Sequence, residues 1–96
     1  MPFVYILRCA DDTLYTGYTV DLERRVKQHQ SGHGGRYTRT HRPVELVYSE
    51  RRRTRRRAMQ RELEIKRLPR AKKLALIAAA KEKNATHSPS ARTEPE

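Results

Sequence analysis

Cysteine is almost absent from this chain, acid is scarce, and no long apolar run interrupts it. Cys9 stands alone, which excludes an internal disulfide and a cysteine-built zinc site. No apolar stretch approaches the roughly 20 residues that span a bilayer, and the N-terminus lacks the pattern of a secretory signal peptide. A cytoplasmic compartment is the expectation, with no membrane span. The sequon Asn84-Ala85-Thr86 then reads as chance, because it has meaning only in a secreted chain. The shortage of acid has the largest consequence. Eleven acidic residues (Asp+Glu 11) face 22 basic ones over 96 residues, a formal net charge of +11. That imbalance selects polyanionic partners, nucleic acid first and an anionic membrane surface second. The length supports one small domain with a modest core.

What is present alternates between strand and helix signals. Residues 3–8 are β-branched and aromatic, as a buried strand requires. Asp11-Asp12 signals a turn, and Thr13 to Val20 again favours strand, so the pair reads as a β-hairpin. Asp21 can cap a helix with Leu22 and Val26 on its inner face, closed by Gly32, Gly34 and Gly35. Residues 33–43 read as a basic loop ending at Pro43, and Val44 to Tyr48 as a third strand. Thr54 can cap a second, long helix that Pro69 stops; Pro69 also suits the first turn of a third helix over residues 70–83. The expected class is α/β (α+β): one three-stranded antiparallel sheet flanked by helices, in the order β-β-α-β-α-α. The domain spans 1–83, and residues 84–96, rich in Ser, Thr, Pro and charge, are expected to be a disordered polar tail.

Chemistry-bearing residues fall at definite places in this scheme. A three-residue hairpin loop sets Tyr5 opposite Gly17 and puts Tyr5 and Tyr15 diagonally on one sheet face; a two-residue loop separates them. Gly17 leaves open space beside the Tyr5 ring, as a pocket needs, although both rings also suit ordinary strand core. At about 100° per residue, Arg25 lies beside the Leu22–Val26 stripe and His29 near its middle. Two readings are open: a polar site at the edge of the core, or an arginine that snorkels past it with a satisfied histidine. Glu62 falls between the Ala58–Ile65 and Met59–Leu63 rows, inside the apolar arc, whereas Glu64 points outward. An inward carboxylate needs either a divalent cation or an arginine. Arg51 to Arg53 and Arg55 to Arg57 form the densest charge run. Cations at a helix N-terminus oppose the macrodipole, so phosphate attraction explains Arg52, Arg53, Arg55 and Arg56 better than helix stability does, a solvated face being the alternative. Arg36, Tyr37, Arg39 and Arg42 interleave aromatic and basic groups, which suits a backbone-tracking groove with Tyr37 free for stacking.

Together the triplets Phe3-Val4-Tyr5 and Tyr15-Thr16-Gly17, Asp21 to Val26 with His29, Tyr37-Thr38-Arg39, Arg42 to Tyr48, and Glu62 with Ile65 to Leu68 resemble a degenerate GIY-YIG nuclease motif. The likeness runs from about Pro2 to Ala80 and is nearest to the small stand-alone UPF0213 group. Phe3 stands where the first triplet has glycine, and Thr16 is the middle of the second; neither change removes a catalytic group. The resemblance implies a GIY-YIG-like fold and metal-assisted phosphodiester hydrolysis of DNA, ahead of RNA. Tyr5 and Tyr15 would line the site, one of them helping to activate the nucleophile. Arg25 would hold the scissile phosphate, His29 would support proton transfer, and Glu62 would carry a single divalent ion, magnesium or manganese. The rival expectation is a non-catalytic nucleic-acid-binding module of the same fold, with Glu62 in a structural salt bridge.

Overall fold

The computed structural model describes residues 1–87, and each element in it begins where the chain supplies a local reason. Strands β1 (Phe3–Arg8) and β2 (Leu14–Thr19) are joined by a tight loop; α1 (Leu22–Ser31), α2 (Arg36–Thr40), β3 (Glu45–Arg51), α3 (Arg55–Arg67) and α4 (Arg70–His87) follow. The strands form one antiparallel sheet in the order β2-β1-β3. In the hairpin loop, Asp12 N–H donates to the Cys9 carbonyl and Cys9 N–H to that of Thr13, both at 2.9 Å. Asp12 adopts φ 67°, a left-handed conformation that aspartate tolerates better than most side chains. The loop is therefore the three-residue one, and Tyr5 pairs with Gly17 as that register requires. The helix caps also follow the sequence. Asp21 Oδ1 accepts from Arg24 N–H and Thr54 Oγ1 from Arg57 N–H, each at 3.2 Å, and Gly32 closes α1 at φ 90°.

The sheet is covered on both faces, so β1 feeds two cores. Val4 and Ile6 pack with Ala58 and Ile65 of α3 and Ile77 of α4. Tyr5, Leu7 and Cys9 pack with Val44, backed by Leu22 and Val26 of α1 and by Tyr15. A register shift between Ile6 and Leu7 leaves Val47 as the extra residue of β3, a bulge of the kind that bends an edge strand. Glu50 of β3 ties α3 down: it accepts from Arg61 Nε at 2.9 Å and also engages Tyr48 and Arg52.

Four features differ from the sequence reading. Part of the expected basic loop is the single-turn helix α2; its five residues are too few to show a period, and contacts from α1 and β2 hold it. Strand β3 continues to Arg51 because Glu50 and Arg51 still pair with Val4 and Phe3. Helix α4 runs to His87, past residue 83; the expectation for 88–96 lies outside the described residues. Met59 and Leu63, expected in the apolar arc of α3, are 48% and 50% exposed, because Ala58 and Ile65 alone fill the contact with the sheet. Among the described residues no helix is long and apolar enough to cross a membrane.

Ile65 is fully buried at the centre of the α3 contact. Ile65→Ala should lower the unfolding free energy by about 2–5 kcal/mol, the usual loss for a large-to-small core change, read as a lower urea midpoint at unchanged slope.

Candidate active site

On the second face of the sheet, a polar cluster is built into the core that α1 and α2 complete. Tyr5 projects from the middle of β1 across Gly17 of β2. A Cβ at residue 17 would lie 2.6 Å from the Tyr5 hydroxyl oxygen, so only glycine admits the ring in this position. The ring is 1% exposed, and its hydroxyl meets His29 Nε2 at 2.8 Å. His29 is wholly buried, because it shares the inward face of α1 with Leu22 and Val26. Its Nδ1 lies 2.7 Å from Thr38 Oγ1 of α2. The Thr38 hydroxyl donates to the Gly35 carbonyl, 3.5 Å away, and so accepts from Nδ1–H. That assignment, made from the hydrogen-bond network, leaves Nε2 as the acceptor of the Tyr5 O–H.

The chain between α1 and α2 passes directly over the imidazole. A Cβ at Gly34 would stand 2.6 Å from His29 Cα, so a bare backbone is needed here. The Gly34 carbonyl in turn accepts from Arg25 Nη2 at 2.6 Å, while Arg25 Nη1 donates to Gln28 Oε1 at 3.0 Å. Tyr15, half-buried on the same face, has its ring centroid 5.2 Å from that of His29. Tyr5, Tyr15, Arg25 and His29 thus come together. Thr38, Gly34 and Gln28, which hold them, went unassigned in the sequence reading. The Gly34-Gly35 pair was the visible signal, but it also reads as a simple helix stop.

The electrostatics follow from burial. Desolvation raises the Tyr5 phenol above its ordinary value; the Arg25 guanidinium pulls it back, while Tyr15 and Glu62 push it up. Desolvation, reinforced by the Arg25 charge, brings the His29 imidazole down to about 4. Arg25 lies close enough to the Tyr5 hydroxyl to lower its pKa by hydrogen bonding as well as by charge, and it acts on His29 by charge. At neutral pH the phenol and the imidazole are both uncharged.

Glu62 lies on α3, on the other face of the sheet, and reaches this cluster only through the charge that raises the Tyr5 phenol. It sits on the flank of α3 about 40° from the Ala58 direction, half-buried with a side chain 17% exposed, and pairs with Lys66 at 3.5 Å. Its partner is a lysine one turn along, not an arginine. Glu64 is exposed and accepts from Arg61 Nη1 at 3.1 Å. Among the described residues no three His, Cys, Asp or Glu side chains gather into a metal cage. A single carboxylate still fits a hard divalent cation that keeps most of its waters and takes further oxygens from a phosphate.

The basic residues divide into exposed and engaged ones. Arg36 and Arg39 lie exposed on α2, and Arg53, Arg55 and Arg56 around the start of α3. Arg42 lies over Gly32 and donates to the Arg39 carbonyl at 3.4 Å. Two of the expected contact residues already have partners within the fold. Arg52 is held by Glu50 and by the Arg51 carbonyl, because an acid with little exposure needs a cation. The Tyr37 ring stacks on His41 at 4.0 Å and lies near-parallel to Tyr15 at 6.0 Å. Its hydroxyl donates to Thr13 Oγ1 at 2.7 Å. Tyr37 therefore ties α2 to the hairpin, with one ring face on His41, and stays 39% exposed. Two surface hollows, of about 640 Å³ along the outside of α1 and about 320 Å³ between α1 and β3, contain none of the cluster residues.

Residues 1–75 match the GIY-YIG catalytic domain. The chain belongs to the GIY-YIG family. This nuclease superfamily acts on nucleic acid and is in general dependent on a divalent metal. A UPF0213 protein of Natronomonas pharaonis is 59% identical over 76 residues, covering 79% of this chain and 89% of the relative. One from Staphylococcus aureus is 52% identical over 75 residues, covering 78% and 92%. The solution NMR structure of a Bacillus halodurans UPF0213 protein superposes with a TM-score of 0.54 at 45% identity, covering 82% of this chain and 85% of that one. An E. faecalis protein solved by NMR gives 0.51 at 40% identity, with 74% and 76% covered. Other GIY-YIG members of this group share the sheet and flanking helices found here, so the fold belongs to the family.

The buried GIY-YIG histidine makes stability depend on pH. Unfolded, His29 titrates near its ordinary 6.5; folded, at about 4. Between those values the unfolded chain holds a proton that the folded one lacks, so stability rises with pH and is lost as pH falls. The loss from pH 7 to below pH 4 should be on the order of 3 kcal/mol, measured by urea unfolding across that range. In His29→Gln the slope over this window should flatten.

Proposed function

We propose that this protein is a metal-dependent nuclease that hydrolyses phosphodiester bonds, in DNA ahead of RNA, with magnesium as the working ion and the cytoplasm as its compartment. The observation that carries the reading is the 2.8 Å contact between the Tyr5 hydroxyl and His29 Nε2 beside Arg25. Hydrolysis needs positive charge on the phosphorus centre, a water that loses its proton as it attacks, and help for the departing oxygen. Arg25 presents a guanidinium whose two bonds to Gln28 and Gly34 fix its plane; it binds the scissile phosphate. Tyr5 takes the proton of the attacking water while its own proton moves to His29 Nε2; as the new P–O bond forms the old one breaks, and the departing oxygen takes up a proton from solvent.

The pKa directions favour a concerted relay. A phenol pushed up and an imidazole pushed down do not form an ion pair at rest, so no separate phenolate accumulates. The imidazolium formed by the transfer is offset by negative charge growing on the phosphate. Thr38 holds the imidazole in the tautomer that keeps Nε2 free, and Tyr15 walls the other side. Glu62 would hold the divalent ion, which supplies Lewis-acid charge to the phosphate oxygens when bound. Exposed Arg36, Arg39, Arg53, Arg55 and Arg56 attract the flanking phosphates, and that term weakens with salt.

The pairing of Glu62 with Lys66 favours one second reading, a nucleic-acid-binding module without catalysis. Cleavage of labelled linear, branched and single-stranded DNA and RNA in magnesium separates the two. Metal-dependent products are expected from wild type. They should fall at least about 100-fold in Glu62→Ala and Tyr5→Phe, the scale of losing a proton-transfer or charge-stabilising group, and persist in Glu64→Ala. Binding without products in every protein would replace the nuclease reading with the binding module.

A further inference from the structure

Helix α3 carries more apolar surface than the sheet buries, and the excess lies on one side. Ala58 and Ile65 are fully buried, whereas Met59 and Leu63 are 48% and 50% exposed. At about 100° per residue, Arg61 falls on the β3 flank of the helix, where Glu50 holds it. Glu62 falls on the opposite flank, toward edge strand β2 and the Tyr5 phenol that feels its charge. Continuing outward from Glu62, Met59 follows by about 60° and Leu63 by about 40° more. The exposed pair therefore lies outward of Glu62 on the α3 side of the sheet.

The same row is cationic at both ends. Arg55, Met59, Leu63 and Arg67 succeed one another at i, i+4 spacing, one above the next on the helix surface, and all four are exposed. Isolated surface hydrophobes are ordinary. Two that are adjacent, bracketed by arginines and set beside a candidate catalytic carboxylate are not isolated. Two side chains present too little area for a stable protein interface, which takes about 800 Å² per partner, and the flanking cations select a polyanion. A fully paired duplex shows only phosphates and groove edges to such a row. An unstacked base is apolar on its face and carries phosphates on either side, and apolar side chains are known to lodge between or against displaced bases.

We propose that Met59 and Leu63 form an apolar ledge that receives a base turned out of its stack, with Arg55 and Arg67 on the flanking phosphates. This makes nucleic acid with an unpaired or distorted segment the favoured ligand. The idea rests on the nuclease reading for what the ledge serves, but its test is binding alone. The chain has two methionines, Met1 and Met59, so methyl-labelled methionine gives a spectrum in which one resonance reports on the ledge.

Wild type, Leu63→Gln and Met59→Gln are titrated with two DNA duplexes of equal length, one fully paired and one carrying a three-base bulge. The Met59 methyl should shift upfield from the base ring current with the bulged duplex and stay in place with the paired one. Wild type should prefer the bulged duplex by at least about fivefold, the scale expected for burying part of two apolar side chains, and each variant should lose that preference. An unmoved Met59 methyl, or equal preference in all three proteins, would overturn the ledge. So would a methyl shift on raising protein concentration without DNA, which would assign the row to a second copy. Cleavage with an unchanged preference removes the ledge and leaves the nuclease; preference without cleavage does the reverse.

Discussion

The hydroxyl of Tyr5 meets the imidazole of His29 inside a core, and most of the second face of the sheet is arranged around that meeting. The ring reaches the histidine only because residue 17 has no side chain. Gly17 lies opposite Tyr5 only because the hairpin loop has three residues. The imidazole is buried because Leu22 and Val26 of its own helix pack beneath the sheet. It is satisfied because α2 offers it Thr38. A buried histidine without partners on both nitrogens would be costly; here both are engaged, one by a phenol and one by a threonine hydroxyl.

The two faces of the sheet divide the labour. The α3–α4 side is apolar, with one dense ionic clamp, Glu50 between Arg61 and Arg52, holding the helix in rotation. The α1–α2 side takes the polar residues. Rotation of α3 matters to both, because Arg61 and Glu62 are neighbours in sequence that leave the helix on opposite flanks. Fastening the first to β3 turns the second toward β2.

Much of this was legible in the chain because it is local. The hairpin was legible, but its register was open between a two- and a three-residue loop until the Cys9–Thr13 and Asp12–Cys9 hydrogen bonds fixed the latter. Helix starts followed from Asp21 and Thr54, and their ends from Gly32 and Pro69. The inward position of His29 followed from the helix period. What could not be read depends on tertiary partners. The five residues of α2 have no period and no intrinsic helix preference, and their stability comes from His29, Tyr15 and Thr13. Tyr37 looked free because nothing local announces that His41 will lie against it. Met59 and Leu63 looked buried because a wheel shows which residues are apolar, not how wide a face the sheet covers.

The placement of Thr38 has a further consequence. It sits on a helix of one turn, far below the length at which helices persist unaided, whereas β1 is shared by two cores. Segments of such unequal support are expected to open separately: amides of β1 should exchange with solvent only when the whole domain unfolds, and those of α2 through small, frequent openings. Each such opening withdraws the Thr38 hydroxyl and frees the histidine to change tautomer or take up a proton. On the proposed mechanism such an opening would disorder the relay in a molecule that is otherwise intact, so the competent fraction would follow the least supported turn of the fold and not its global stability.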